Sequence, residues 1–359
     1  MSAGTRRLLV VLSVAMLLCA CASCEGSGAG HLDSGTDTGT DGDSDTDTDT
    51  LLYDGGPLVD CAGVISPSPW GGQVCIPGGT YLMGCMPYDT WCEEDEYPMV
   101  EVTLSPFWID RKEATYANVL TWLNSVGDEY MKDERMLGDP EGNILYNSGD
   151  VSDGSPPICY DADAGVYQWE QGCEGGCGGP LQAAAGGFSW LGAKRFCEYW
   201  GKRLPTEAEW EAAARGQTKL IWPCDWEHKP CWHGKYAMCH EGFECYADIC
   251  CSPDEDENLS ECNSPFDVRG MYGNAMEWVL DGLDEDHSWC AGGCTDPPPR
   301  PVNADGEHMA KGGGISTTAT YTRISARPKF DETSTSPING VRCVRSPISF
   351  PEPMEPMEE

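Results

Sequence analysis

The stretch that most constrains the fold is Lys202–Gly216, whose sequence is KRLPTEAEWEAAARG. Thr206 and Glu209 have the spacing of a capping box, in which each side chain accepts a hydrogen bond from the other residue's backbone N–H. Pro205 disfavours helical structure just before this cap. Apolar residues then recur at helical spacing, and the final glycine suits the end of a helix. The sequence therefore predicts a helix over 206–215.

Two more helices are predicted from the spacing of apolar residues, at 113–126 and 188–201. In the second helix, Ser189 is expected as the N-cap and Gly201 as the stop. Strands around turns are predicted for Val74–Met83 and Val100–Ile109, and a regular pattern returns at Met271–Leu280 and in closing strands near 311–327 and 339–345. Helices set among short strands, without βαβ alternation, predict an α+β fold with little regular secondary structure.

The N-terminus resembles a bacterial export signal. Arg6 and Arg7 precede the apolar run Leu8–Leu18, which is too short to span a bilayer permanently. The motif LCAC, which ends at Cys21, resembles a lipobox. Residues 1–20 are therefore predicted to be a lipoprotein signal peptide, with Cys21 as the lipidated first residue of the mature chain.

Two alternatives to this anchor remain, lipidation at Cys24 and an ordinary cleaved signal peptide. Ala22 follows Cys21 where an Asp would resemble an inner-membrane retention signal. The expected location is therefore the bacterial cell envelope, at the outer membrane, facing either the periplasm or the outside. The membrane is then a partner through the lipid.

The remaining chain divides by composition. Residues 21–58 hold the anchor and a tether of Gly, Ser, Thr and Asp, which cannot bury apolar surface to offset its chain entropy. Its Asp-x-Asp alternation lacks the Gly and the distal Glu of a calcium loop, so a solvated spacer is expected. Residues 59–347 are about the size of one large domain, and 348–359 form an acidic tail.

The formal net charge is −37, from 59 acidic and 22 basic residues. Such an excess of negative charge argues against nucleic acid and anionic lipid as partners. It is compatible with divalent cations or a basic partner, and it also favours solubility alone.

Eighteen of the 21 cysteines lie between Cys61 and Cys343. A dense, even set in an exported chain predicts a disulfide framework of up to nine bridges, with unknown connectivity. Zinc is the weaker alternative, because it would need paired Cys-x-x-Cys units, whereas the chain offers the pairs 173/177 and 290/294 with three intervening residues. Residues 224–262 hold seven cysteines and are predicted to be a disulfide-stapled loop insertion.

Several blocks, in order, resemble one family. They are CIPGGTYLMG (75–84), FWID (107–110) with the stretch to Thr115, FSWLGAKRFCEYWGKRLPTEAEWEAAARG (188–216), GMYGNAMEW (270–278), KGGG (311–314), TRISAR (322–327) and GVRCVRS (340–346). Together they are similar to the formylglycine-generating enzyme, or sulfatase-modifying factor, family. The resemblance implies a variant of the C-type-lectin-like fold.

The resemblance also implies an activity, the oxidation of a sulfatase cysteine to formylglycine with O₂, copper and two cysteines five residues apart. Two thiolates suit Cu(I). The corresponding interval here is Gly314–Arg323, GISTTATYTR, which contains no Cys, His or Met and is shorter. Copper is therefore not expected, and no catalytic residue is predicted. The nearest cysteines in sequence are Cys294 and Cys343, and the latter matches a position that looks structural in the family.

A related activity uses non-haem iron held by three His. The six His of this chain do not show the helical His-x3-His-x-Glu arrangement that such a site resembles. Three of them, His228, His233 and His240, lie in the cysteine-rich insertion, where surface positions are the commoner outcome.

Structural calcium is a further implication of the resemblance. Backbone oxygens and the Glu of the GNxxEW block make Gly273, Ala275 and Glu277 the candidate ligands. Calcium takes roughly six to eight oxygens, and residue 270 is Gly where a carboxylate or amide side chain is expected. The alternative for Glu277 is a buried carboxylate that accepts hydrogen bonds from local N–H groups.

Other site residues follow from the same blocks. Arg203 is expected to pair with core carboxylates, whereas Tyr321, Arg323 and Arg327 would line any pocket beside the closing strand. Four tryptophans are expected in the core, namely Trp190, Trp200, Trp210 and Trp278.

Three functions remain compatible with the sequence. The preferred hypothesis is a membrane-tethered binding module that presents a pocket to an unknown protein or small-molecule ligand. The second is an oxidoreductase of the same family whose metal site is rearranged from His and carboxylates. The third is a structural envelope lipoprotein without a ligand.

Overall fold

A computed structural model gives the structure of the protein. It describes residues 52–62, 72–126, 131–133, 136–147, 158–161, 163–169, 181, 183–223, 263–283, 286–314 and 317–348. These residues all fall within one compact unit, Asp45–Glu359. The predicted signal peptide, Cys21, most of the tether, the insertion 224–262 and nearly all of the tail lie outside the described residues.

Helices form where the sequence predicts them. They are α1 (Tyr116–Val126), α2 (Trp190–Tyr199) and α3 (Glu207–Arg215). Ser189 caps α2, with its Oγ 3.0 Å from the backbone N of Gly192. The capping box of α3 is present, since Thr206 N lies 2.9 Å from Glu209 Oε2 and Glu209 N lies 3.2 Å from Thr206 Oγ1. The helix ends at Gly216, whose φ of +60° favours glycine. Along the described chain, no helix has the length and apolar character needed to cross a bilayer.

The strands are short. In chain order they are β1 (Gln73–Ile76), β2 (Gly79–Met83), β3 (Val100–Leu104), β4 (Phe107–Asp110), β5 (Met131–Asp133), β6 (Met136–Gly138), β7 (Ile144–Asn147), β8 (Ile158–Asp161), β9 (Val166–Trp169), β10 (Met276–Gly282), β11 (Cys294–Thr295), β12 (Glu307–Lys311), β13 (Lys329–Asp331), β14 (Asn339–Gly340) and β15 (Val344–Arg345). Helices set among these strands confirm the predicted α+β class.

The described strands form five small sheets. Their strand orders are β1-β4-β15, β13-β12-β10-β14, β11-β3-β2, β5-β6-β7 and β8-β9. Both predicted strand regions near the N-terminus divide at a proline, after Ile76 and after Leu104, because proline lacks the N–H that a sheet ladder needs. Most pairings are antiparallel, while β10 pairs with β14 and β11 with β3 in parallel.

The predicted closing strand at 311–327 is wrong. Strand β12 ends at Lys311, and residues 319–322 form a 3₁₀ helix. Gly312 and Gly313 have φ of +88° and +69°, which turns the chain out of the sheet. Thr317 Oγ1 then donates to Gly314 O at 2.8 Å, so a side-chain hydroxyl competes with strand pairing.

Strands β5–β9, between α1 and α2, have no counterpart in the sequence prediction. Each spans only three or four residues, which is too short for an alternating pattern to stand out.

Among the described residues, two apolar clusters form the core. One packs α1 and α2 against β10, around Trp122, Phe188 and Trp278. The other packs α3 against β1–β4, around Trp210 and Phe107. Of the tryptophans predicted to be core, Trp190, Trp210 and Trp278 are buried, and Trp200 is half-buried.

Four disulfides join described residues. They are Cys61–Cys75, Cys85–Cys92, Cys197–Cys343 and Cys290–Cys294. The third ties α2 to the residue before β15 across a sequence separation of 146. The bridge between Cys290 and Cys294 contradicts the zinc alternative for that pair, since both sulfurs are used.

Candidate functional site

A cavity of about 470 Å³ lies beside the segment that follows β12. Its lining includes Thr317, Thr318, Thr320, Tyr321, Arg323, Ala326, Arg327, Pro328, Lys329, Phe330, Glu93, Asp95, Glu96, Met276 and Ile338. We refer to it as the 317–330 pocket. Tyr321, Arg323 and Arg327 line it together, which confirms their predicted place.

Arg323 is fixed by the loop between β2 and β3. Its Nη2 lies 2.5 Å from Glu96 Oε1, and its Nη1 lies 2.7 Å from Glu96 Oε2 and 2.9 Å from Asp89 Oδ2. Ser325 also donates to Glu96, at 2.7 Å. These contacts hold the pKa of Glu96 below its ordinary value against the opposing effect of burial. The pair therefore forms an ion-paired part of the pocket wall.

Arg327 is held from beneath by helix α3. Its Nε lies 3.0 Å from Glu207 Oε1, and its Nη1 donates to the carbonyl oxygen of Asp95 at 2.7 Å. Lys311 Nζ lies 3.4 Å from the same Glu207 oxygen and 2.9 Å from Glu211 Oε1. Despite burial, the nearby cations keep the pKa of Glu207 well below its ordinary value. The first residue of α3 thus positions a pocket arginine.

A second carboxyl group, that of Asp281, lies at the N-terminus of α3. Asp281 Oδ2 accepts the backbone N–H of Glu207 at 2.8 Å, and Oδ1 accepts that of Arg300 at 2.9 Å. Burial, with the neighbouring Glu207 carboxylate, raises the pKa of Asp281 to about 7. Arg203, as predicted, pairs with a core carboxylate, since its Nη1 and Nη2 each lie 2.7 Å from an oxygen of Glu209.

Hydroxyl groups line the pocket within the segment Gly314–Arg323, for which the family resemblance implies two cysteines. Thr318 is exposed and Thr320 is half-buried, and both line the pocket. The two nearest cysteines in sequence are each bound elsewhere, because Cys294 is bridged to Cys290 and Cys343 to Cys197. Folding therefore does not bring Cys294 and Cys343 together as a thiol pair.

The predicted calcium residues lie at the start of β10. Glu277 is fully buried, and its carboxylate binds Arg342 through Nη2–Oε1 at 2.6 Å and Nε–Oε2 at 2.9 Å. Trp210 Nε1 donates to the same Oε2 at 2.7 Å. Gly273 N donates to Gly312 O at 2.8 Å, whereas Ala275 is buried.

A second carboxylate, that of Glu113, lies close to this group. A Cβ on Gly270 would lie 2.2 Å from Glu113 Oε2, so this carboxylate fills the space of the missing side chain. Asn274 Nδ2 donates to Glu113 Oε1 at 2.9 Å, while Oε2 is buried without a hydrogen bond. Burial and the Glu277 charge raise the pKa of Glu113 to about 7, although Arg342 opposes them.

These contacts do not fit calcium bound through the side chain of Glu277. Both of its oxygens are taken by Arg342 and Trp210, so a metal would have to displace a guanidinium. Calcium at Gly273, Ala275 and Glu277 stays a prediction, and the contacts favour the alternative of a buried, hydrogen-bonded carboxylate.

The described histidines, His287 and His308, are buried in the core. His287 is fully buried, with Nε2 3.5 Å from Glu207 Oε1. His308 stacks on Trp190 at a centroid distance of 3.8 Å, and burial lowers its pKa to about 4. The other three candidates, His228, His233 and His240, lie outside the described residues.

Sequence reasoning missed the acidic wall of the pocket. Glu93, Asp95 and Glu96 precede β3 and are more than 220 residues from Arg323 in the sequence. The run EEDE was visible as a motif, but a short acidic run usually lies on a solvated surface. Its place in the pocket wall follows only from the ion pair between Glu96 and the buried Arg323.

The fold and this pocket define a disulfide-bonded α+β domain. Its buried ion pairs include those of helix α3, whose first residue, Glu207, binds Arg327 and Lys311. The chain belongs to the family of the sulfatase-modifying factor enzyme 1-like domain, whose model matches residues 64–347.

Known relatives include enzymes and an inactive homologue. The chain is 27% identical over 299 residues to the formylglycine-generating enzyme of Thermomonospora curvata, which covers 77% of this chain and 94% of that enzyme. It is 27% identical to the inactive C-alpha-formylglycine-generating enzyme 2 of Bos taurus, over 58% of this chain and 69% of that protein. The solved structure of PvdO from Pseudomonas aeruginosa matches with a TM-score of 0.50 and 18% identity, over 76% of this chain and 93% of that one. This structural likeness shows the fold.

Proposed function

We propose that this protein is a membrane-tethered binding domain of the sulfatase-modifying factor family that lacks the copper-binding cysteine pair. Its ligand, a small molecule or part of a partner protein, occupies the 317–330 pocket. One observation carries the proposal: the pocket is formed and its arginines are ion-paired, yet threonines stand in the segment Gly314–Arg323 where the resemblance implies two thiols. Hydroxyls do not hold Cu(I) as thiolates do.

A relative without formylglycine-generating activity supports the proposal. A relative over 58% of this chain carries the description of an inactive formylglycine-generating enzyme. Keeping the buried charge network under α3 while the thiols are absent is consistent with selection for a pocket instead of for oxidation.

The test is an activity assay. Purified protein is incubated with Cu(I), O₂ and a Cys-x-Pro-x-Arg peptide, and formylglycine is sought by mass spectrometry. We expect none, with the Thermomonospora curvata enzyme as the positive control. Formylglycine formed at a comparable rate would overturn the proposal.

The tether is the second part of the proposal. Cys21 carries the lipid, and the domain is held at the outer membrane. The variant Cys21→Ser is expected to lose incorporation of labelled palmitate and to leave the membrane fraction, whereas Cys24→Ser behaves as the parent. Retention of the label in Cys21→Ser would refute lipidation at that residue.

The alternative is an oxidoreductase with a rearranged metal site, and one group of metal-ligand side chains lies beside the pocket. Ligand atoms of Cys85, Asp89 and Cys92 lie within 4.8 Å of one another, and Cys92 Sγ lies 3.3 Å from Arg323 Nη1 in the pocket wall. The two sulfurs form a disulfide, which leaves no thiolate for a metal. Elemental analysis for iron, copper and zinc, with O₂ consumption, separates the two functions, since we expect neither metal nor turnover.

A further inference from the structure

The positive groups of the 317–330 pocket are each paired with acids. Arg323 binds Glu96 and Asp89. Arg327 binds Glu207, with Nε and Oε1 3.0 Å apart. The exposed Lys329 lies 3.5 Å from Glu307. Because these cations already have anionic partners, they offer little attraction to an incoming anion.

The acidic side of the pocket is not balanced in the same way. Asp95 is half-buried, and Arg327 donates to its carbonyl oxygen instead of its carboxylate. Within the part of the chain that the structure describes, the Asp95 carboxylate has no ion-pair partner. Glu93 lies exposed at the rim beside it. Arg327 acts electrostatically on Asp95 but is shared with Glu207, so the pocket keeps an excess of negative charge.

The electrostatic surroundings of Asp95 agree with this description. Burial raises its pKa, Arg327 opposes the shift, and the carboxylates of Glu96 and Glu207 add to it. Burial is the largest cause of the shift, and a bound cation would add to the effect of Arg327 in stabilising the charged carboxylate.

The opposite wall is apolar with hydroxyls at its edge. Met276, Ile338, Pro328 and Phe330 supply carbon surface, and the exposed Tyr321 stands at the rim. The volume of about 470 Å³ lies in the ordinary range of small-molecule sites. A ligand that fits must combine an apolar stem with a charged end.

We propose that the 317–330 pocket takes an organic cation, an ammonium or guanidinium group on an apolar stem, with the Asp95 carboxylate as its counter-ion. This inference rests on the proposed binding function and names its ligand class. The cation can come from a free amine or from a lysine or arginine side chain of a partner, and the chemistry of recognition is the same.

The experiment is isothermal titration calorimetry on the purified full-length protein. The probes are Nα-acetyl-lysinamide, its norleucine counterpart without the ammonium group, and 1,5-diaminopentane. Lysinamide is expected to bind at least tenfold more tightly than the norleucine compound. A preference for the diamine over lysinamide indicates a free amine, and the reverse indicates a side chain.

Two variants test whether the Asp95 carboxylate is the counter-ion. Asp95→Asn should weaken binding of the cationic probes at least tenfold, whereas the matched control Asp163→Asn, on an exposed turn between β8 and β9, should not change it. Failure of lysinamide to bind, equal affinity for the two acetylated probes, or an unchanged Asp95→Asn variant would overturn the inference.

A pocket-filling variant separates this failure from failure of the proposed function. Thr320→Trp places an indole in the pocket. If both acetylated probes bind the parent equally and Thr320→Trp abolishes both, the ligand class is wrong and the binding pocket stands. If Thr320→Trp leaves binding unchanged, the pocket is not the binding site and both proposals fail.

Discussion

Arg323 and Glu96 form a bidentate pair across 227 residues of sequence, with nitrogen–oxygen distances of 2.5 and 2.7 Å and both side chains buried. The pair fixes the loop between β2 and β3 against the 3₁₀ helix at 319–322. It thereby joins the two walls of the pocket, so the pocket's shape and its stability depend on the same contact.

Removing one partner of this pair should be costly. Glu96→Gln leaves a buried guanidinium with only Asp89 as a close carboxylate, and we expect a loss of about 3 kcal/mol in the free energy of unfolding. The neighbouring exposed Glu94→Gln serves as the control and should change it by less than about 0.5 kcal/mol. Urea denaturation followed by tryptophan fluorescence measures both. Equal effects would show that the pair adds nothing specific.

The pH dependence of stability should carry the signature of Asp281. Its folded pKa of about 7 exceeds the ordinary value of 3.8, so the folded state binds this proton more tightly than the unfolded state. Its contribution is therefore fully present below pH 3.8 and is lost as the pH rises to about 7, by about 4 kcal/mol. The charged groups that face it are Glu207 and Arg327.

The measurement compares the parent with Asp281→Asn by urea denaturation at several pH values. Glu113 also titrates near neutral pH, so only the difference between the two proteins isolates Asp281. We expect the variant to gain on the parent between pH 4 and 7, and Asp305→Asn, which is exposed, to stay parallel to the parent. A constant difference across this range would contradict the shifted pKa.

The capping box of α3 should contribute less to stability than the buried ion pair. Thr206→Ala removes the acceptor for the Glu209 N–H and should cost about 1 kcal/mol. Thr121→Ala, on the exposed face of α1, is the control for loss of a threonine and should be near neutral. Thermal unfolding compares the two. A Thr206→Ala protein as stable as Thr121→Ala would mean that Asp281 alone satisfies the helix start.

The disulfides should differ in their effect on stability. In the loop-entropy model, the bridge that closes the longer loop restricts the unfolded chain more, so Cys197→Ser/Cys343→Ser should lose about 4 kcal/mol. The matched variant Cys290→Ser/Cys294→Ser opens a bridge with a separation of only four residues and should lose less. Guanidinium unfolding under non-reducing conditions tests the order. Equal losses would point to packing around the sulfurs as the cause.

Sequence reasoning recovered the local structure because its causes are local. The helix over 207–215 follows from a cap, a helical apolar pattern and a stop, each within one or two turns. The same reasoning failed at 311–327, where two glycines with positive φ and threonine hydroxyls turn the chain. Strand propensity describes such a segment poorly, because side-chain hydrogen bonds to nearby carbonyls compete with the sheet.

The residues of the candidate site also include some that the sequence predicts and some that it does not. The sequence identified Tyr321, Arg323 and Arg327 through their block, and it showed that the segment Gly314–Arg323 contains no cysteine. It could not identify Asp95, because the role of an acidic run depends on which distant residues pack against it in the fold.

The sequence by itself determined the family, through blocks that occur in order along the chain, and the capped helix, through residues close together in it. The tertiary structure decided which charges meet. Burial makes each unpaired charge expensive, so Arg323, Arg327 and Arg342 are each matched to carboxylates from distant segments. That matching leaves Asp95 facing the pocket, and no local pattern could have indicated it.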